Sequence, residues 1–346
     1  MEHFSFDQDW KNFAEKNSLP IPSNAIPEPG PIEALDIDFS QARPYQAEAD
    51  KSWAASHPFS SVGYVSQLKT FVISDGVKLS VKISCPGIGR LKEKGIPDPY
   101  KLPVLFVTHG GGWVSGSHVS EEAWLLWPLY RDLDFITISV EYRLAPEHKF
   151  PTWIEDSWEI LCQLVTDSSP FTSDMGVSCD ISKLILIGSS SGATITATLA
   201  QRCRDTSKSV LGVVLNVPVL CHYLHFPSET GISGSYYQCT ETYLGSREMA
   251  TCWDMVISPT LGADPQVSPL LGAIKGLTPH FIFVAGRDCL RDEGILYAKR
   301  LEDNGVAVKL HVYAGVPHNF AHYEELSATA RFWQDLKQGL QQWLAA

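Results

Sequence analysis

Short apolar runs alternate with longer segments of helical periodicity along most of this chain. The runs are rich in Val, Ile, Leu and Phe, which is typical of parallel strands that are buried on both faces. Helical patterns at 151–165, 293–304 and 328–344 separate or follow the later runs, and shorter ones lie at 9–17 and 46–56. Strands are predicted at 70–74, 79–84, 102–108, 135–140, 184–187, 210–216, 281–285 and 309–313.

This order of elements predicts an α/β fold built on one open, twisted sheet covered by helices. About eight strands are expected, mostly parallel with an antiparallel start. We expect a single domain over residues 1–346, with a core that comprises about 70–219 and 269–346.

The segment 220–268 breaks the alternation of strands and helices, because it carries several aromatic residues among Gly, Ser and Pro. It is either a surface excursion packed by its own aromatic side chains or a lid over a functional site. Long irregular segments in compact domains are often binding elements, which favours the lid.

Composition limits the possible partners. The chain has 346 residues, of which 44% are hydrophobic and 19% charged, and its formal net charge is −12. The low share of charged residues argues against long disordered stretches. Because binding phosphates needs clustered Lys and Arg, neither a nucleic acid nor an anionic membrane surface is an expected partner. No run approaches the roughly 18 apolar residues of a membrane span.

The cysteines and the first residues of the chain bear on the cellular compartment. Eight cysteines are scattered without a C-x-x-C pair, and the first residues show neither the basic nor the apolar region of a secretory signal. Free thiols and a cytoplasmic location are therefore expected, and a metal site is not.

The segment Gly188-Ser189-Ser190-Ser191-Gly192 is the most informative feature for function. It follows an apolar run and precedes a stretch that can open a helix. A strand, G-x-S-x-G and a helix hold the central serine on a sharp turn with its hydroxyl exposed above a sheet. Only Ser190 has glycines two positions before and after it, so Ser190 is the candidate nucleophile.

A second glycine-rich segment, His109-Gly110-Gly111-Gly112-Trp113, follows the predicted strand at 102–108. A loop of this kind supplies backbone amides that stabilise an oxyanion, together with the amide after the nucleophile. We assign these donors to Gly111, Gly112 and Ser191. A phosphate-binding loop is disfavoured, since neither a Lys-Ser/Thr ending nor G-x-G-x-x-G follows.

Acyl transfer by serine also needs a base and a carboxylate that orients it, in the chain order serine, acid, histidine. Asp288 lies just past the predicted strand at 281–285, at the edge where such sheets bind ligands. Asp292 and Glu293 compete with it, but they fall at the start of the next helix, where a carboxylate also favours the helix dipole.

His318 is the best candidate for the base. It lies in a loop with Gly and Pro after the last predicted strand. His322 is a rival nearby. His222 and His225 are the other rivals, but they lie in the proposed lid and precede the acid, which breaks the expected order.

These motifs resemble those of the hormone-sensitive-lipase branch of the α/β-hydrolases. The likeness runs from about residue 70 to the C-terminus, and HGGGW at 109–113 and YRLAPEHKFP at 142–151 are its most specific segments. The resemblance implies a carboxylesterase-type enzyme with a helical cap built from about 1–60 and 220–268. The matching positions are Ser190, Asp288 and His318 for the family's triad, and Gly111, Gly112 and Ser191 for its oxyanion donors.

The turn around Ser190 departs from the usual family wording, G-D-S-A-G-G. Ser189 stands where Asp is common, Ser191 where Ala is common and Ala193 where a glycine is common. The expected oxyanion donor at Ser191 is its backbone amide, so the change of side chain from Ala to Ser need not abolish that donor. Ser189, by contrast, removes a carboxylate beside the nucleophile.

The expected chemistry is hydrolysis of a small apolar or aromatic carboxylic ester through an acyl-enzyme on Ser190, without a metal or an organic cofactor. An acyltransferase or amidase using the same triad stays open, as does a ligand-binding or elimination protein of the same fold. The expected partner is a small-molecule ester, and family relatives favour a monomer or homodimer.

Overall fold

The computed structural model describes residues 5–19, 31–228, 233–240, 242 and 244–345. A single sheet forms its centre. Its strands are β1 (Tyr64–Val72), β2 (Lys78–Pro86), β3 (Lys101–Thr108), β4 (Ile136–Glu141), β5 (Ser178–Ser189), β6 (Gly212–Asn216), β7 (His280–Ala285) and β8 (Val308–Tyr313).

The eight strands lie in the order β1-β2-β4-β3-β5-β6-β7-β8. β2 runs antiparallel to both of its neighbours, β1 and β4, while every later pair in this order is parallel. The predicted fold, a mostly parallel sheet with an antiparallel start, is therefore confirmed.

Helices connect the parallel strands and cover the sheet, as parallel pairing requires. In the described part of the chain these are α1 (Gln8–Lys16), α2 (Arg43–Ser56), α3 (Ile88–Glu93), α4 (His118–Glu121), α5 (Trp127–Asp132), α6 (Thr152–Thr166), α7 (Ser169–Thr172), α8 (Ser191–Asp205), α9 (Gly234–Gln238), α10 (Ser246–Val256), α11 (Arg291–Asp303) and α12 (Ser327–Ala345).

Both faces of the sheet are buried, and successive residues of the central strands alternate between two apolar layers. In β3, Val104 and Phe106 belong to one buried cluster, while Leu105 and Val107 belong to the other. This double burial explains why the central strands read as continuous apolar runs.

Two strands begin six residues earlier than predicted. β1 begins at Tyr64 instead of residue 70, because it is an edge strand whose side chains are mostly exposed and so form no apolar run. β5 begins at Ser178 instead of residue 184. Its first half pairs with the start of β3, yet much of that half is polar and only partly buried. The apolar pattern therefore marks only the buried parts of these strands.

The N-terminal segment divides between two regions of the molecule. α1 buries Trp10 in the same layer as α12, and the Asp7 amide donates to the Gly315 carbonyl at 3.0 Å. Residues 31–42 instead reach α10, where the Leu35 amide donates to Thr251 Oγ1 at 2.7 Å.

The assignment of 1–60 and 220–268 to a cap stays a prediction. Residues 1–4, 20–30, 229–232, 241 and 243 of that predicted cap lie outside the described residues. Among the helices that are described, none combines the length and the apolarity needed to cross a membrane.

Candidate active site

The predicted site residues lie in loops at one edge of the sheet. The glycine-rich loop follows β3, Ser190 follows β5, Asp288 follows β7 and His318 follows β8. These four strands are parallel, so their carboxyl ends point the same way and the four loops meet.

Ser190 occupies a strained turn between β5 and α8. Its φ of 53° and ψ of −120° lie in a region that residues with a side chain rarely adopt. The Ser190 amide donates to the Asn216 carbonyl at the end of β6, at 2.9 Å, which helps to fix the turn. Gly192 is required here, because a Cβ at this position would collide with the Thr108 carbonyl oxygen of β3.

The side chains of Ser190, His318 and Asp288 form a hydrogen-bonded chain. His318 Nε2 lies 3.1 Å from Ser190 Oγ, and His318 Nδ1 lies 2.6 Å from Asp288 Oδ2. The other carboxylate oxygen of Asp288 accepts the Leu290 amide at 2.9 Å, which orients the carboxyl group. All three side chains are buried, with 4% or less of each residue exposed. This geometry allows His318 to take a proton from Ser190.

The glycine-rich loop lies beside this chain of side chains. Gly111 has a φ of 119°, a backbone conformation that favours glycine, and a Cβ there would collide with the Ser115 carbonyl. Within the described structure, the amides of Gly111, Gly112 and Ser191 donate no hydrogen bond. The Ser191 amide is the first of α8, so it has no partner within the helix. These donors are therefore available to an oxyanion.

The hydroxyl of Ser191 does not line the cavity. It accepts the Trp113 amide at 3.2 Å and so connects the start of α8 to the glycine-rich loop. The serine that stands where Ala is common in the family thus adds a contact between the start of α8 and the glycine-rich loop.

The rival acids have other partners. Asp292 pairs with Arg291 at 2.9 Å and accepts the Ser235 amide at 2.9 Å. Glu293 accepts the backbone amides at 220–221, at 2.6 and 2.9 Å, and burial raises its pKa well above the usual value. Both carboxyl groups therefore attach the segment after β6 to α11, away from the candidate base.

Within the described structure, Ser190 Oγ bonds to His318 and to none of the rival histidines. His222 Nδ1 accepts the Leu224 amide at 3.3 Å, and burial lowers the pKa of His222 to about 4. His225 is a ring neighbour of His222, at 5.5 Å between centroids. His322 does line the cavity, where its ring stacks on Trp124 at 4.7 Å. Desolvation lowers the pKa of His322 to about 4, although the residue is exposed.

A buried carboxyl group that sequence reasoning missed connects the two loops. Glu121, at the end of α4, is fully buried and accepts the Ser189 hydroxyl at 2.6 Å through Oε1. Its Oε2 accepts the Gly110 amide at 3.0 Å, and Asn216 Nδ2 donates to Ser189 Oγ at 3.0 Å. Burial raises the pKa of Glu121 to about 7. A carboxyl group therefore lies beside Ser189 although the chain has no Asp at that position.

The sequence held one signal for this contact. Ser189 departs from the family's Asp, and two consecutive acidic residues, Glu121 and Glu122, follow the glycine-rich loop before the next strand. Both acids are buried, and which of them reaches Ser189 depends on tertiary packing. Glu122 pairs instead with Lys82 at 2.8 Å.

A cavity of about 520 Å³ opens above Ser190. Its walls come from the glycine-rich loop, the His318 loop, α10 and the short 3₁₀ helix Phe39–Ala42 of the N-terminal segment. Its described lining residues are Phe39, Ala42, Gly111, Gly112, Val114, Ser115, Trp124, Ser190, Thr242, Leu244, Glu248, Met249, Cys252, His318, Asn319 and His322.

A mostly parallel sheet that holds a serine on a strained strand-to-helix turn is the architecture of the α/β-hydrolase class. A family model described as alpha/beta hydrolase fold matches residues 105–322, which is more than half of the chain. The chain therefore belongs to the alpha/beta hydrolase fold family, in the hormone-sensitive-lipase-like branch that its motifs resemble.

Named relatives agree with this family. Ethyl acetate hydrolase of Pseudomonas putida is 33% identical over 84% of this chain and 85% of its own length. Carboxylic ester hydrolase LipN of Mycobacterium tuberculosis is 33% identical over 65% of this chain, and the match spans 58% of LipN. Among solved structures, a bacterial heroin esterase has the same fold, with a TM-score of 0.78, 23% identity and 98% of each chain covered.

Proposed function

We propose that this protein is a serine carboxylesterase that cleaves small apolar or aromatic esters through an acyl-enzyme on Ser190. The observation that carries the proposal is the hydrogen-bonded chain from Ser190 through His318 to Asp288, beside unoccupied amide donors. Membership of the family and relatives that are named carboxylic ester hydrolases support it.

In the first half of the reaction, His318 Nε2 takes the proton of Ser190 as Oγ attacks the ester carbonyl. Asp288 accepts the hydrogen bond from His318 Nδ1, keeps the ring in the correct tautomer and stabilises the imidazolium that forms. The amides of Gly111, Gly112 and Ser191 stabilise the oxyanion of the tetrahedral intermediate. His318 then protonates the leaving alcohol.

In the second half, His318 removes a proton from water, which attacks the acyl-enzyme carbonyl. The acid leaves and Ser190 recovers its proton. Every proton moves through His318, so these residues complete the reaction without a cofactor.

The cavity supports a small substrate. Its volume of about 520 Å³ lies within the range of pockets that bind small molecules. Phe39, Trp124 and Met249 supply apolar and aromatic surface, which suits an apolar or aromatic ester.

The remaining expectations form part of the same proposal. All eight cysteines are free thiols, which suits the reducing conditions of the cytoplasm. A monomer or a homodimer is proposed on the basis of the family resemblance.

A covalent probe tests the proposal directly. The intact mass of the protein is measured after exposure to a fluorophosphonate, and hydrolysis of p-nitrophenyl acetate through octanoate is followed in parallel. We expect one adduct and turnover, both lost in Ser190→Ala, with a fall in kcat on the order of 10⁶. Ser66→Ala, which changes an exposed serine on β1, is the matched control and should retain both.

The two readouts separate the alternatives. A protein that forms the adduct but hydrolyses no ester would indicate an acyltransferase if it transfers the acyl group to an added acceptor alcohol. An adduct-free protein would contradict the proposal and favour the ligand-binding or elimination alternative.

A further inference from the structure

One carboxylate in the wall of the active-site cavity has no partner among the described residues. Glu248 lines the same cavity as Ser190 and His318. Neither of its oxygens takes part in a hydrogen bond or ion pair with any residue that the structure describes, and Oε2 is also shielded from solvent. Carboxylates in partly buried positions are normally paired, because desolvation of a charge is costly.

The rest of the cavity offers Glu248 nothing to pair with. Its described lining contains no Lys and no Arg, and Glu248 is its only carboxylic acid. His322 shares the cavity, but its pKa is lowered to about 4, so its ring is neutral near neutral pH. The described wall of the cavity therefore supplies no positive charge to Glu248.

The position of Glu248 relates this carboxylate to the reaction centre. Glu248 and Cys252 are four residues apart on α10 and share one face of the helix. Cys252 packs against the glycine-rich loop, since its Sγ would lie only 2.8 Å from a Cβ added at Gly112. The Cα atoms of the two residues are thus about one helical turn, ~6 Å along the axis, apart. A short substituent on a bound ester spans that distance.

Aromatic rings complete a site for an ammonium ion. Phe39 and Trp124 line the same cavity, and aromatic faces attract alkylated ammonium groups. A carboxylate with nearby aromatic rings binds such a cation through both its charge and its apolar surface.

We propose that Glu248 selects esters that carry a protonated amine or a quaternary ammonium group on a short substituent. The inference rests on the proposed function, since it places the ester carbonyl at Ser190. It narrows that function from small esters in general to cationic ones.

Glu248 also has a purely structural interpretation. It lies in the first turn of α10, where a carboxylate stabilises the helix dipole. That role would affect stability and would leave the choice between charged and neutral substrates unchanged, so selectivity for charge distinguishes the two.

Two matched pairs of esters test the inference on the full-length protein. Acetylcholine is compared with 3,3-dimethylbutyl acetate, in which a carbon replaces the charged nitrogen of the alcohol. The p-nitrophenyl ester of 4-(trimethylammonio)butanoate is compared with that of 5,5-dimethylhexanoate, which makes the same replacement in the acyl group. We expect kcat/KM to favour the cationic ester by about 10- to 100-fold in at least one pair.

Glu248→Gln should abolish that preference, so that the kcat/KM values of the two esters in a pair differ by no more than about threefold, or less than 1 kcal/mol. Glu302→Gln removes the same charge from an exposed position on α11 and should keep the preference. Equal rates within both pairs, or a preference that persists in Glu248→Gln, would overturn the inference.

A binding measurement keeps the inference testable apart from hydrolysis. Choline and 3,3-dimethylbutan-1-ol are titrated by calorimetry into the wild type and Glu248→Gln. Choline should bind to the wild type at least about tenfold more tightly than to Glu248→Gln. Glu248-dependent binding of choline by a protein that hydrolyses no ester would support this inference and contradict the proposed function. Equal binding of choline and the neutral alcohol would contradict the inference whether or not esters are hydrolysed.

Discussion

Glu121 gives the stability of the protein a pH dependence that a single substitution should remove. The group is fully buried, and burial raises its pKa from 4.5 to about 7. The folded protein therefore holds a proton on Glu121 between about pH 4.5 and 7, where the unfolded chain has released it. Stability from the neutral carboxyl is fully present below about pH 4.5 and is lost as the pH rises through 7.

The magnitude follows from the size of the shift. Each unit of pKa difference corresponds to about 1.4 kcal/mol, so the full effect is about 3 kcal/mol. Between pH 5 and pH 8 it amounts to about 2–3 kcal/mol, because part of the unfolded-state titration lies below pH 5.

Glu121→Gln is the suitable perturbation, since it keeps the shape of the side chain and removes its titration. The amide oxygen of Gln can accept the Gly110 amide, and its NH₂ group can donate to Ser189 Oγ. The free energy of unfolding of this variant, relative to the wild type, should rise by about 2–3 kcal/mol from pH 5 to pH 8.

Urea unfolding at pH 5, 6, 7 and 8, followed by tryptophan fluorescence and by far-UV circular dichroism, measures this difference. Glu302→Gln is the control, because Glu302 is exposed and its removal should give a profile parallel to that of the wild type. If the profiles of Glu121→Gln and the wild type are also parallel, the pKa of Glu121 is not raised in the folded protein.

Three further substitutions test contacts of the site. Ser189→Asp places a second carboxylate against Glu121 and should lower the free energy of unfolding at pH 8 by about 2–4 kcal/mol. Adding Glu121→Gln to the same chain should restore much of this loss. If it restores none, the two groups do not interact. Gly111→Ala forces a side chain into a backbone with φ of 119° and should reduce kcat by about 10²–10³ with a much smaller change in KM, as steady-state kinetics would show. Asp288→Asn should lower kcat by about 10⁴ at an unchanged melting temperature, whereas Asp292→Asn should lower mainly the melting temperature; the reverse pattern would exchange the roles assigned to the two acids.

The sequence predicted the central sheet well because β3 to β7 are buried on both faces. Continuous apolar runs mark such strands, and the glycine and serine motifs mark the loops at their carboxyl ends. The edge strand β1 was misplaced for the opposite reason, since its side chains are mostly exposed and carry no apolar signal.

The sequence signal at 121–122 and Ser189 was not enough to predict the contact between Glu121 and Ser189. The two residues are 68 positions apart. Whether Glu121 or Glu122 meets Ser189 depends on how the helix that carries them is oriented against the sheet. The sequence also does not predict a functional role for Glu248, because a carboxylate in the first turn of a helix is common. Only the cavity that it lines in the structure indicates such a role.

The cavity wall is completed by two segments that are synthesised far apart in time. Leu35 and Thr251, which join the N-terminal segment to α10, are separated by 216 positions, and the Arg247 side chain makes a second bond to the Glu33 carbonyl at 3.1 Å. During translation, residues 31–42 leave the ribosome long before their partner helix exists. The substrate cavity therefore takes its final shape only after most of the sheet has been made, so a chain that stops before α10 already has Ser190 but lacks one wall of the cavity around it.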